Sequence, residues 1–468
     1  MLCKLELSNN FIQLTAQKYI LNHISKKFTY RDISQAFVYG RFQKHNVRIV
    51  KLLEYRDDHH AILPIGLLDD LLELLKSMES LIFKIVDNRI QQSYDFTDQE
   101  IRNCVKIPLR DYQISAVQTF LQEQAMIMKA ATGSGKTKVL AAVIKLLDIP
   151  TLVLMHKIDL IYQTQKKFKE DGLTNIGIVQ GNNVKTDKIT LSTIQSAHKI
   201  NNLQQFKFVT VDEVHKASAP TYQNLLRQLD TRLKLGLSGT PFSKDKLHNA
   251  LVKAWIGDIK FDLSAKELIA QGFLAEPTIH MISIDKVTQT RKLKNGTKIY
   301  TRDIENYGWV GAERGGIIHN TYRNQKIAEL AMSSPAPVLV LVKNIKHGEK
   351  LNKMIANSVF IYGDTSIEDR TNYIKQFEEG RDIILIGSTI LDEGIDIVSL
   401  KTLIVCAGGK SFIRTLQRLG RALRRTKTKH KVLIYDFADT TNHYLERHSK
   451  ERIKAYRKEG FDNIITYQ

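Results

Sequence analysis

The chain has 468 residues, 43% of them apolar, and a formal net charge of +20 from 69 Lys and Arg against 49 Asp and Glu. That length suits about three domains of roughly 150 residues, and the basic balance favours a polyanionic partner. Three scattered cysteines, Cys3, Cys104 and Cys406, exclude a disulfide framework and a CxxC zinc site and suit a reducing cytosol, and no run approaches the ~18 apolar residues of a membrane span.

Residues 1–100 read as a small mixed α/β unit, with a strand in VRIVKLLEY and a helix in GLLDDLLELLKSM, whose leucines recur at helical spacing. From about 105, the short apolar runs AMIMKA, TLVLM, FKFVTVDE and LKLGLSGT alternate with helical patterns, the βαβ rhythm of a parallel sheet. The rhythm breaks over 279–320, a linker or insertion where Asn295 and Gly296 signal a β-hairpin. It resumes over 321–468 with PVLVLV, SVFIYG, DIILIGS, TLIVCA and KVLIYDF. The fold class is therefore α/β: a mixed N-terminal domain (1–100) and two parallel-sheet domains (101–278 and 321–468) in tandem.

The segment AATGSGKT, Ala130–Thr137, lies between a strand and the helical pattern KVLAAVIKLL, the setting of a phosphate-binding loop. Thr132, Gly133, Ser134 and Gly135 would present backbone N–H groups to the phosphates, Lys136 would reach the β and γ groups, and the Thr137 hydroxyl would ligate Mg²⁺. Ala130 stands where the general pattern has its first glycine. Further on, Asp212 and Glu213 close an apolar strand, expected to neighbour that of the GKT loop. Asp212 is suited to hold Mg²⁺ and Glu213 to polarise the water that attacks the γ-phosphate.

Near the C-terminus, Gln417, Gly420, Arg421 and Arg424 share one stripe of a predicted helix, and Leu416, Leu419 and Leu423 share another. Spacing alone leaves open whether those charges hold nucleic acid, take part in chemistry or are merely solvated.

DEVH (212–215), SGTP (238–241), GSTILDEGIDI (387–397) and QRLGRALR (417–424), with the phosphate loop, resemble in order and spacing the motifs of superfamily two helicases. The resemblance covers about 105–445, and the DEVH form, STIQS and LDEGIDI are most similar to the XPB-related branch with its phage branch-migrating members. It implies two RecA-like domains, ATP hydrolysis with Mg²⁺, and Gln417, Arg421 and Arg424 as groups that serve the triphosphate. LRDYQ resembles the adenine-contacting element, which assigns Gln113 and Arg110 to base recognition. Gly394 and Asp396, with Glu393, would couple to the nucleotide, and His215, Ser238 and Thr240 would link the two ligands. His156, Lys157, Thr193, Gln195, Lys343, Asn344, Ser388 and Thr389 would track the nucleic-acid backbone, although any polar loop residue among them is equally placed to cap a helix.

The expected activity is ATP-dependent, 3′ to 5′ unwinding or branch migration of forked and junction DNA in replication, recombination or repair, with forked, branched or single-stranded DNA as the partner, by a protein that works as a monomer in the cytoplasm and away from membranes. An RNA helicase and a double-stranded DNA translocase of a restriction complex share the same core. A binding scaffold with a dead nucleotide site conflicts with the filled positions Lys136, Asp212, Glu213 and Arg421. The hairpin lysines Lys292, Lys294 and Lys298 and Tyr300 suit either a strand-separating wedge or a plain structural hairpin.

Overall fold

The computed structural model describes all residues except 1, 35–36, 39–40, 43–45, 80, 90–91, 294–295, 382, 389–398, 409–428 and 468. They form two compact units, Met1–Ala130 with Gly135–Asp262, and Ala131–Ser134 with Leu263–Gln468.

The first unit begins with a five-stranded sheet. Strands β1 (Leu2–Leu7) and β2 (Phe11–Thr15) form an antiparallel hairpin, and Cys3, Leu5 and Leu7 alternate inwards as a half-buried strand requires. An antiparallel excursion extends from this domain, with β3 (Thr29–Ser34) pairing β6 (Asn46–Lys51) and, nested between them in sequence, β4 (Phe37–Val38) pairing β5 (Arg41–Phe42). Strands β7 (Glu54–Tyr55), β8 (His60–Pro64) and β9 (Ile82–Asp87) complete the sheet in the order β7-β8-β2-β1-β9. Helices Lys18–Lys27 and Leu68–Ser77 cover it with Ile20, Leu21, Ile24, Leu71 and Leu75.

The rest of the unit is built on β10 (Ala125–Ala130), β11 (Thr151–Met155), β12 (Ile176–Gln180), β13 (Asn183–Lys185), β14 (Ile189–Thr193), β15 (Phe208–Asp212), β16 (Leu233–Ser238) and β17 (Ile259–Leu263). Their order is β13-β12-β14-β11-β15-β16-β10-β17, with parallel pairing from β12 through to β10. Strands β11, β14 and β16 are buried along their whole length, the mark of a sheet covered on both faces. One expectation is corrected: β16 lies between the GKT strand β10 and the carboxylate strand β15, so the two are not neighbours.

In the second unit, β18 (Glu276–Ile284), β21 (Val338–Leu341), β22 (Ser358–Ile361), β23 (Ile384–Gly387), β24 (Thr402–Val405), β25 (Lys431–Asp439) and β26 (Ile464–Tyr467) form a parallel sheet in the order β22-β23-β21-β24-β25-β18-β26. The segment read as a linker from 279 thus contains most of β18. Strands β19 (Thr288–Leu293) and β20 (Gly296–Thr301) form the expected hairpin, but Gly296 pairs with Leu293 and is a strand residue; Asn295 lies outside the described residues. Buried ion pairs fasten the end of β25: Arg323 Nε donates to Asp439 at 3.1 Å and Arg452 Nε to Asp436 at 2.9 Å, while Tyr456 donates to Asp436 at 2.7 Å. Partnering of this kind is what allows charges in a core. Two parallel-sheet α/β domains preceded by a mixed domain match the expected class.

Candidate nucleotide and nucleic-acid site

The loop after β10 turns on Gly133 (φ 92°) and Gly135 (φ 82°), left-handed values that favour glycine, and leads into helix Lys136–Leu147. Lys136 opens that helix and its Nζ donates to the Ala130 carbonyl at 2.8 Å, so the ammonium folds over the loop. Gln113 is buried against the same loop: a Cβ on Gly135 would stand 2.5 Å from Gln113 Nε2. Gln113 Oε1 in turn accepts from the Arg110 backbone N–H at 3.0 Å, a reciprocal cap that fixes both residues at the start of helix Asp111–Glu123. The structure thereby brings Gln113 to the phosphate loop, with Arg110 next to it at the helix start.

Asp212 ends β15, and Glu213 follows in the left-handed region at φ 52°. For a non-glycine residue that conformation costs of order 1 kcal/mol, and it occurs where a side chain must be aimed. The Ser238 hydroxyl, at the end of β16, donates to Glu213 Oε2 at 3.4 Å. His215 Nδ1 is 3.3 Å from both Ser238 Oγ and Glu213 Oε2. The Thr240 backbone N–H donates to Ser238 Oγ at 3.2 Å, and His248 Nε2 lies 2.9 Å from the His215 carbonyl, a support that the motif reading missed.

The two carboxylates are pushed apart in acidity. Burial, helped by the Glu213 charge, raises Asp212 to about 6 despite the opposing charge of Lys136. Burial would raise Glu213 as well, but the His215 hydrogen bond and the Lys136 charge outweigh it and hold that carboxyl below its ordinary value. Among the described residues no cluster of three or more His, Cys, Asp and Glu side chains offers a self-contained metal site. Thr137 at the start of the helix and Asp212 in the field of Lys136 are hard oxygen donors of the kind that holds Mg²⁺ jointly with a triphosphate, which needs only one or two protein ligands.

The nucleic-acid candidates gather at strand ends. His156 and Lys157 follow β11, and Thr193 and Gln195 fall at the end of the adjacent β14, where Met155 pairs with Thr193 and the Ile194 N–H donates to the Met155 carbonyl at 2.9 Å. In the second unit, Lys343 and Asn344 follow β21 and Ser388 follows the neighbouring β23. Lys343 is half exposed, 2.9 Å from Glu313 Oε1 and 5.9 Å from the Trp309 ring centroid. Asn344 occupies the cap position of helix Ile345–Met354 without a side-chain cap bond, and Ser388 is buried. Sequence reading missed the Glu313 and Trp309 contacts, because no spacing links residues 30 positions apart. Thr389, Gly394, Asp396, Gln417, Arg421 and Arg424 lie outside the described residues.

Residues 106–243 match the family described as the type III restriction enzyme res subunit, and residues 323–426 match the helicase conserved C-terminal domain. The chain is 26% identical over 380 residues to the DNA 3′-5′ translocase XPB2 of Sulfurisphaera tokodaii, covering 74% of this chain and 85% of that protein. It is 23% identical over 462 residues to the ATP-dependent DNA helicase uvsW of Enterobacteria phage T4, covering 87% and 88%. Among solved structures, the type ISP restriction-modification enzyme LlaBIII bound to DNA aligns with a TM-score of 0.57 at 14% identity, covering 85% of this chain and 34% of that one. A fragment of an HsdR subunit from Vibrio vulnificus aligns at 0.53 and 16%, covering 94% and 91%. At those identities the structural likenesses speak for the fold. With the two family matches, the motif order and the two parallel sheets, the chain belongs to the superfamily two helicases, in their XPB-related, UvsW-like branch.

Proposed function

We propose that this protein is an ATP-driven DNA motor that unwinds or branch-migrates forked and junction DNA with 3′ to 5′ polarity. The observation that carries the reading is the set Lys136, Asp212, Glu213, His215 and Ser238, gathered within one unit with the carboxylates differently tuned. The names of the relatives, a DNA 3′-5′ translocase and an ATP-dependent DNA helicase, support DNA as the track.

In the proposed cycle the triphosphate lies on the loop at Thr132–Gly135, whose backbone N–H groups and following helix start favour anions. Lys136 leaves the Ala130 carbonyl for the β and γ oxygens, and Gln113 with Arg110 holds the base. Thr137 and Asp212 would hold Mg²⁺, which offsets charge on the phosphates when bound. Glu213, kept ionised, orients water for in-line attack and accepts its proton. Ser238 and His215 hold Glu213 and, with Thr240, would link its state to the nucleic acid. Gln417, Arg421 and Arg424 are assigned to the same phosphate chemistry by their motif. His156, Lys157, Thr193, Gln195, Lys343 and Asn344, with Ser388 and Thr389, form the phosphate track on DNA.

The test is ATP hydrolysis at fixed salt with no nucleic acid, single-stranded DNA, linear duplex, forked or four-way DNA, and matched RNA. Strongest stimulation by branched DNA, followed by strand displacement, is expected. Stimulation by RNA alone, or by linear duplex without unwinding, would replace this reading with an RNA helicase or a duplex translocase.

A further inference from the structure

Lys234 stands between Leu233 and Leu235 at the start of β16, in a strand buried along its whole length, and is itself 1% exposed. A buried ammonium is costly unless its protons are bonded. Its acceptors come from a part of the chain more than 220 residues away: Nζ donates to the Asn9 carbonyl at 3.1 Å and to Asn10 Oδ1. Both are amide oxygens of the turn between β1 and β2. Burial accordingly pushes Lys234 down to about 7.

The contact is the centre of a larger junction. Asn10 Nδ2 donates to the Arg227 carbonyl at 3.0 Å, and Arg227 grips Glu54 through two bonds of 2.7 and 2.8 Å. The Phe11 ring meets Trp255 edge-on at 5.5 Å. The Gly66 N–H donates to the Ala254 carbonyl at 2.9 Å, at an approach so close that a Cβ on Gly66 would stand 1.9 Å from the Lys253 carbonyl oxygen.

The position of the junction gives it meaning. Lys234 and Ser238 lie at opposite ends of the same strand, about 13 Å apart at ~3.3 Å per residue, and Ser238 faces the carboxylate Glu213. The N-terminal domain therefore docks where β16 begins, at the end of that strand opposite Ser238 and the carboxylate it faces. One patch of its surface is basic: the exposed Tyr19, His23, Lys26 and Lys27 share a helix that contains no acidic residue, and Arg31, Arg48 and Lys51 are exposed on the hairpin that follows it. A motor that pulls DNA through one domain does work on a junction only if its second grip cannot slip.

We propose that the Lys234–Asn10 contact is a latch that makes the N-terminal domain a rigid arm of the ATPase domain, Lys234 serving as a positioning residue on which fork remodelling depends while DNA-stimulated ATP hydrolysis does not. The inference rests on the proposed DNA motor. Asn10→Ala strands the ammonium without its side-chain acceptor, and Lys234→Met removes the charge, so at least one variant should fold.

Three quantities are read for each variant: hydrogen exchange of the Leu2–Thr15 amides, kcat for DNA-stimulated ATP hydrolysis, and fork strands separated per ATP. Exchange is expected to rise about tenfold or more, the size of effect that a lost buried hydrogen bond produces. The kcat is expected to stay within about twofold and strands per ATP to fall about tenfold, the two no longer moving together. Unchanged exchange, or unchanged strands per ATP despite faster exchange, would overturn the latch; so would kcat falling in step with unwinding, which marks general damage. If the wild-type protein hydrolysed no ATP on DNA, the motor reading would fail, while the exchange measurement would still judge the docking.

Discussion

Glu213 is held by three things at once: a left-handed backbone, the Ser238 hydroxyl and the His215 ring. Such a residue is aimed rather than merely present, and its substitution should act on chemistry alone. Glu213→Gln keeps the shape and removes the base, so kcat for ATP is expected to fall by about 10²–10⁴ while affinity for DNA, measured by fluorescence anisotropy, is retained. Unchanged turnover would remove Glu213 from the mechanism. The carboxylate pair and the GKT loop were readable in the sequence because each is a compact local pattern with a fixed chemical reason. Their supports were not: His248 reaches the His215 carbonyl across 33 residues, and nothing in the run LKLGLSGT marks Lys234 as bonded to Asn9 and Asn10, more than 220 positions away.

Apolar runs bounded by turn residues identified the strands of both parallel sheets, since burial on two faces leaves little other composition possible. Strand order was a different matter. Side-chain pattern says which faces are covered and nothing about which strand lies beside which, so the insertion of β16 between β10 and β15 was invisible. Close packing between elements is also testable. Gly348, in helix Ile345–Met354, lies so near Phe360 of β22 that an added Cβ would fall 2.3 Å from the ring, whereas a Cβ on Gly363 would meet nothing within 4 Å. Gly348→Ala is therefore expected to cost about 1–3 kcal/mol, read as a lower thermal midpoint, and Gly363→Ala to stay within about 0.5 kcal/mol. Equal effects at the two positions would contradict the packing described for β22.

Across the molecule, the second unit should be the more acid-sensitive in one specific window. His347 is fully buried, its Nε2 2.8 Å from Asn324 Oδ1, and burial lowers it to about 3 from an ordinary 6.5. The unfolded chain takes up the proton in that interval and the folded one does not. This contribution to stability is thus complete above about pH 6.5 and is lost as pH falls towards 3. Denaturant unfolding followed from pH 7 to 4 should show the decline, and His347→Gln should flatten it; an unchanged slope in the variant would assign the acid sensitivity elsewhere. No helix among the described residues is long and apolar enough to cross a membrane.

The junction around Asn10 and Trp255 also governs how this protein can be taken apart. Ala250, from the ATPase domain, is part of the N-terminal core, and Trp255 and Lys234 are covered from the other side by Phe11 and Asn10. A version of the chain starting near residue 101 would uncover the apolar surfaces that Phe11 and the N-terminal core cover at Trp255 and Ala250, and would be prone to aggregate whatever the N-terminal residues do in the intact protein. Deletion is the wrong tool for asking what that domain contributes; substitutions on its outward face leave the seam closed and put the question cleanly.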